Sequence, residues 1–265
     1  MSPELTIIET TSFRLKDLTT SQIEQMSAEN AERTLTQILA SQARVEGGGN
    51  ILVFSQFNEN PHLLVNRLIS KILINKLSLE FRKNLKKANN LAVVSIESSA
   101  SYLAGEMTLG VEKFFKFDQP PQIFRVRKGG NGVNKSPAMG ENQYSVSVKP
   151  ITLQAGESRW LAASFSDPAE VDQITHAILV DDFRATGSTI DGVKQNIVMP
   201  MFPQLEHFEA MAALGKPSQE KIRGSKVETA LDVSFWADRE RNIALLQVNN
   251  GPIYKMHKAS VEDFV

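Results

Sequence analysis

The stretch AILVDDFRATGSTIDGV, residues 177–193, decides the fold. Four apolar residues, Ala177, Ile178, Leu179 and Val180, run straight into Asp181 and Asp182. A short, uninterrupted apolar run suits a strand of a parallel sheet whose two faces are both covered. The segment that follows, Ala185, Thr186, Gly187, Ser188 and Thr189, is small and rich in hydroxyls, and reads as a turn into a helix. Ligands of an open parallel sheet bind beyond the carboxyl ends of its strands. A strand over 178–180 therefore puts both carboxylates at that edge, and puts the turn at a helix N-terminus, where backbone N–H groups favour an anion. Gly187 lets the backbone approach the anion, and the hydroxyls of Thr186, Ser188 and Thr189 add donors. Two carboxylates beside a phosphate cradle would repel the phosphate alone. They suit a ligand that also brings hydroxyl donors or a bound cation, and a sugar phosphate with vicinal hydroxyls meets both demands.

The pattern around this stretch supports the same architecture. A helix is expected over 30–44, ending at the glycines 47–49, then a strand over 51–54. Leu64, Leu68, Ile72, Leu73, Leu77, Phe81 and Leu85 recur at helical spacing, which predicts one helix over 61–87 with Pro61 in its first turn. Further strands are expected over 91–97 and 122–128, with a helix over 99–110 closed by Gly110. Residues 129–143 read as a polar loop, and 144–153 as a strand that Pro150 confines to an edge or splits. Asp167, Pro168 and Glu170 mark a short helix start. From 208 to 265 apolar and charged segments alternate without a readable order. Strands alternating with helices argue for an α/β fold, a mainly parallel sheet flanked by helices.

Bulk properties exclude several function classes. The 265 residues suffice for one large domain, alone or with an appendage, and the net charge of −1 gives no reason to expect nucleic-acid or membrane binding. There is no cysteine, so disulfides and thiolate metal sites are excluded. Residues 1–10 lack signal-peptide blocks and no apolar run reaches membrane-spanning length, so a cytoplasmic location is the expectation. No P-loop lysine follows the glycine of the 177–193 stretch, and the glycines at 47–49 and 129–132 fit no dinucleotide fingerprint. His62, His176, His207 and His257 show no metal-binding spacing, which leaves them structural or surface roles.

The string ILVDDFRATGSTIDG, 178–192, closely resembles the phosphoribosyl-pyrophosphate (PRPP) motif of the type I phosphoribosyltransferases, with Ser188 in place of a second glycine. The resemblance implies that Asp181 and Asp182 bind the ribose hydroxyls, and that Ala185, Thr186, Gly187, Ser188 and Thr189 hold the 5′-phosphate. VVSIESSASYLAGEMTLG, 93–110, looks like the family's pyrophosphate-binding strand, loop and helix. This implies that role for Glu97, Ser98, Ser99 and Ala100, with Ser99 and Ala100 departing from the adenine-type pattern. FRVRKGGNG, 124–132, resembles the entry to a flexible lid, making Arg127 and Lys128 the catalytic cations, with Lys135 or Lys149 beside them. ILVFSQFNENPHLL, 51–64, resembles part of the hood over the base in the xanthine enzymes, which implies base contacts for Phe57 and Asn58. Ala185 stands where hypoxanthine-guanine enzymes carry an aspartate that handles the proton on the base.

Taken together, the resemblance implies the type I phosphoribosyltransferase fold with a small hood and a lid loop. It implies an N-terminal helical segment over 1–50, a transferase domain over 51–265, and purine salvage from PRPP as the activity. Mg²⁺ is implied as the companion of PRPP, contacting Asp181 and Asp182 only through it, and a homodimer as the assembly. Purine repressors share a similar string and bind PRPP without consuming it. A PRPP-sensing regulator lacking a DNA-binding domain is therefore the alternative, since only some 50 residues precede the first strand and they carry no basic recognition helix.

Overall fold

The computed structural model describes residues 6–9, 18–46, 51–53, 63–96, 100–128, 144–152, 158–165, 171–184, 187–217 and 226–264. In chain order, β1 (Ile7–Ile8) precedes α1 (Thr20–Gln25), α2 (Ala28–Gln42), β2 (Arg44–Glu46), β3 (Ile51–Val53), α3 (Leu63–Lys76) and α4 (Leu79–Asn84). Then come β4 (Leu91–Ile96), α5 (Ala100–Phe115), β5 (Gln122–Lys128), β6 (Tyr144–Thr152), β7 (Ser158–Phe165) and β8 (His176–Arg184). Last are α6 (Ser188–Val193), β9 (His207–Gly215), β10 (Val227–Asp238), β11 (Ile243–Val248) and β12 (Ile253–Lys255). A π-helical turn, Lys194–Val198, and Met199–Met201 continue α6. The widened turn precedes Pro200, which lacks the N–H a regular α-helix would use there.

Among the described residues ten strands form one sheet in the order β1-β12-β11-β10-β9-β8-β4-β5-β7-β6. The five central strands, from β5 to β10, are parallel, antiparallel pairings extend the sheet on both sides, and β1 joins β12 in parallel. The parallel centre is the one expected from the sequence. Pro150 lies in β6, and β6 is an edge strand, the position where a missing ladder donor does least harm.

Side chains of successive strand residues divide between two cores. Leu91 and Val93 of β4 join Ile178 and Val180 of β8 under α2, α3 and α5. Ala92, Val94 and Ile96 join Ala177 and Leu179 under the helical stretch that carries Ile190, Val193, Ile197 and Met201. Both faces are thus covered, which is why these strands read as unbroken apolar runs. The N-terminal helices contribute Ile23, Leu35, Ile38 and Leu39 to the first of these cores.

The structure corrects three boundaries. The segment 61–87 forms two helices, because Ser78 accepts the amide of Phe81 at 3.2 Å and caps a new one. The strand at 178–180 runs from His176 to Arg184, because its ladder with β9 continues through Asp181↔Ala212 to Arg184↔Gly215. The helix at 99–110 does not stop at Gly110. It ends at Phe115 with Lys116 left-handed (φ 57°), and the amide of Phe117 reaches the carbonyl of Glu112 at 3.1 Å.

Gly110 instead permits close packing of α5 on α3. A Cβ there would overlap Ile74 Cδ1 and lie 2.8 Å from Ser70 Oγ, while Gly105 of the same helix has nothing within 4 Å. The Ser70 hydroxyl donates to the Glu106 carbonyl at 2.9 Å, and Arg67 grips the buried Glu106 carboxylate at 2.8 and 3.2 Å. The two glycines should therefore respond oppositely to alanine. Gly105→Ala gains helix propensity, about 0.5–1 kcal/mol. At Gly110 an overpacking cost of about 1–3 kcal/mol outweighs that gain. Urea unfolding of the two variants should show one above and one below the parent.

Candidate functional site

Two crossovers fix where a ligand sits. The chain leaves β4 through α5 towards β5, and leaves β8 through α6 towards β9, in opposite directions across the sheet. Their helices lie on opposite faces, α5 with the first core and α6 with the second. This reversal opens a crevice between the carboxyl ends of β4 and β8, the topological switch point where α/β sheets hold ligands. Ser95 pairs with Val180, so β4 ends one residue later, level with Asp181.

Asp181 and Asp182 lie at this crevice, within β8 rather than after it. Asp181 is 5% exposed and Asp182 half-buried. The Asp181 carboxylate accepts the Asp182 amide at 3.0 Å, which fixes one oxygen and the local backbone together. Beyond them Gly187 is buried and left-handed, φ 81° and ψ −6°, a conformation costly for any residue with a Cβ. That geometry starts α6 at Ser188. The first helical bond runs from the Asp191 amide to the Gly187 carbonyl at 3.0 Å, so the amides of Ser188, Thr189 and Ile190 have no intrahelical partner. The arrangement offers hydroxyl-accepting carboxylates next to an anion-favouring helix start.

The structure brings other residues singled out in the sequence to the same edge. Ala100 is the first residue of α5, the helix that follows β4 in the chain. Arg127 and Lys128 close β5 on the far side of β4, two ladder spacings or about 10 Å from β8. Lys149 lies further out, on β6, opposite Leu161 of β7. Phe57, Asn58, Glu97, Ser98, Ser99, Lys135, Ala185, Thr186 and the proposed lid over 129–143 lie outside the described residues.

Sequence reasoning passed over a second group at this edge. The Arg184 guanidinium, buried at the end of β8, donates to the Lys216 carbonyl at 2.8 Å and the Asp232 carboxylate at 2.9 Å. Lys216 follows β9 directly, and its ammonium stands 5.3 Å from the centre of the Phe235 ring. An arginine at the end of a strand that begins with a buried apolar run was a visible signal of a partner. The identity of that partner, 48 residues on, was not.

The carboxylates are hard oxygen donors of the kind Mg²⁺ prefers, yet among the described residues no group of three or more His, Asp or Glu could hold a metal ion. A cavity of about 770 Å³ lies apart from this edge, between α1, α3 and α5 and lined by Ile23, Arg67, Lys71, Glu106 and Phe114. Its cations are paired: Arg67 with Glu106, Lys71 with the carbonyls of Ile23 and Glu24, and Lys113 with the Glu24 carboxylate. No helix among the described residues is long and apolar enough to cross a membrane.

No family model matches the chain. It is 28% identical over 131 residues, 49% of its length, to xanthine phosphoribosyltransferase of Bacillus cereus, and spans 56% of that curated relative. Among solved structures, adenine phosphoribosyltransferase from Rhodothermus marinus aligns with 76% of this chain and 98% of its own at a TM-score of 0.47 and 15% identity. Adenine phosphoribosyltransferase from Trypanosoma brucei, in complex with AMP, pyrophosphate and ribose-5-phosphate, covers 76% of each chain at 0.46 and 16%. The chain is thus similar, over about half its length, to a phosphoribosyltransferase, the kind of protein whose PRPP motif its 178–192 string resembles.

Proposed function

We propose that this chain is a purine phosphoribosyltransferase, transferring the 5-phosphoribosyl group of PRPP to a purine with release of pyrophosphate. The observation that carries this reading is the pairing of Asp181 and Asp182 with the helix start at Gly187, in the crevice between β4 and β8. Similarity to a xanthine phosphoribosyltransferase supports it.

In this reading Asp181 and Asp182 accept hydrogen bonds from the two ribose hydroxyls, and the turn from Ala185 to Thr189 holds the 5′-phosphate. The ring is then fixed at both ends, which turns binding energy into orientation of its C1 atom. Glu97, Ser98, Ser99 and Ala100 take the pyrophosphate, and Arg127 and Lys128 offset the charge that grows on it. The bond from C1 to the pyrophosphate oxygen breaks with its electron pair leaving on that oxygen. The lone pair of the base nitrogen forms the new C1–N bond, and the proton of that nitrogen passes to solvent. Mg²⁺ bound with PRPP would supply charge neutralisation at the pyrophosphate, and Asp181 and Asp182 would meet it through the ligand. Fixed charges and donors aimed at the leaving group do the main work.

Phe57 and Asn58 are assigned to the base, in a hood built partly from the segment before residue 51. The division into an N-terminal segment, 1–50, and a transferase domain, 51–265, belongs to the same reading, as does work in the cytoplasm. A homodimer is included too. Exposed Tyr102, Leu109 and Phe114 on α5 support it by offering apolar surface to a second copy.

The test is pyrophosphate release from PRPP and Mg²⁺ with xanthine, adenine, hypoxanthine, guanine, uracil and orotate offered separately. Release with a purine is expected. Silence with all six, from a protein that still binds PRPP, would make it a PRPP-sensing regulator instead.

A further inference from the structure

The proposed transfer makes no use of the cavity between α1, α3 and α5. Its volume of about 770 Å³ falls in the range of small-molecule sites, about 300–1,000 Å³, and far exceeds the voids of a packed interior. Ile23, Met26, Ile74, Leu109 and Phe114 give it apolar walls. Leu109 and Phe114, both on α5, are 46% and 44% exposed, so apolar surface meets solvent at its mouth.

Five ionisable side chains line the cavity, and their charges do not cancel. Arg67, Lys71 and Lys113 stand against Glu24 and Glu106, which leaves a surplus of one positive charge. The buried Glu106 carboxylate is engaged by Arg67 Nε and Nη2, and Lys113 donates to the Glu24 carboxylate at 2.7 Å. Lys71 is the cation left over. Its ammonium donates to the carbonyls of Ile23 and Glu24 at 2.9 and 2.6 Å, and no carboxylate pairs with it among the described residues. Burial, opposed by the charge of Glu24, holds its pKa below the ordinary lysine value. The three cations are neighbours. The Glu24 carboxyl is held below its usual range first by the Lys113 bond and then, against desolvation, by the charges of Arg67 and Lys71. One N–H of Lys71 and the Nη1 group of Arg67 have no partner among the described residues.

We propose that this cavity binds a small amphipathic monoanion, a monocarboxylate with an apolar body. The carboxylate takes the remaining N–H groups of Lys71 and Arg67 and cancels the surplus charge, while the body lies against Ile74, Leu109 and Phe114. The charge count sets the class. A polyphosphate would leave negative charge uncancelled among apolar walls, and an amine would add to the positive surplus. The site is separate from the β4–β8 crevice, and it stands or falls without the PRPP reading.

The experiment is calorimetric titration with 4-phenylbutyrate, and with 4-phenylbutylamine and 4-phenylbutanol as its cationic and neutral analogues. The carboxylate should bind at one site per chain, about tenfold or more tighter than either analogue, the weight of a charge-assisted hydrogen bond. Lys71→Met, which keeps the apolar stem, should weaken it about tenfold. If that variant fails to fold, as urea unfolding would show, Lys113→Gln at the exposed side should still weaken binding about threefold. The Asp181→Asn/Asp182→Asn protein should bind the carboxylate as the parent does. Loss of binding there would put the probe in the crevice and overturn the proposal. Equal binding of all three compounds, or of none, overturns it too. Binding that disappears as sedimentation shows the chain dimerising would give this face to a second copy, and would equally overturn the ligand site.

Discussion

Replacing Asp181 and Asp182 together by asparagine will lower kcat/KM for PRPP by about a thousandfold. Each carboxylate–hydroxyl hydrogen bond is charge-assisted and contributes about 1.5–3 kcal/mol, so losing two costs about 3–6 kcal/mol of transition-state stabilisation. Asparagine keeps the shape and one neutral acceptor, and β8 is held by its backbone ladder to β4 and β9. The fold should survive, and because Asp181 is a nearly buried charge, stability should hold or rise. Initial rates of pyrophosphate release, read beside urea unfolding of the same protein, separate the two effects. A loss below tenfold in a well-folded variant would mean that the carboxylates do not hold the ribose.

The second large effect lies at the opposite edge of the sheet and concerns stability alone. His176 begins β8 and is 3% exposed, with its ring 4.6 Å from that of His207 and edge-on to Phe81 at 5.1 Å. Nδ1 has the Thr175 hydroxyl at 2.8 Å, while Nε2 is buried with no partner among the described residues. Burial, and secondarily the charge of His207, hold its pKa down from 6.5 to about 4. The native state therefore favours the neutral ring. Its contribution is fully present above about pH 6.5 and is lost as pH falls towards 4, where the unfolded chain takes up a proton that the native chain refuses. At about 1.4 kcal/mol for each unit of pH, the loss approaches about 3 kcal/mol. Urea unfolding between pH 7 and 4.5 should show His176→Gln losing clearly less stability than the parent over that window. Parallel curves would show that the buried ring contributes nothing to the acid response.

What the sequence made legible follows physical range. The 177–193 stretch announced itself because strand, carboxylates and turn are contiguous, and a local pattern needs no knowledge of partners. β4 was readable for the same reason, and Pro150 named its own place on an edge strand. Gly110 was misread as a helix stop because a glycine required for close packing looks the same in sequence as one required for a cap. What distinguishes them is Ile74 and Ser70 on another helix. The split at Ser78 was missed because Phe81 and Leu85 keep the apolar period across it, although a serine three residues before Phe81 was the available signal. The ordering of β9 to β12, and with it the ion pair from Arg184 to Asp232, depends on pairings that only the assembled sheet defines.

Calorimetric titration of Mg²⁺-PRPP into the native chain, with the Asp181→Asn/Asp182→Asn protein in a parallel cell, is the measurement to make first. Saturable binding at one site per chain, abolished or weakened at least a hundredfold in the variant, is the expected result. No heat of binding to the native protein at millimolar PRPP, or equal binding to both proteins, would contradict the assignment of the β4–β8 crevice as a PRPP site.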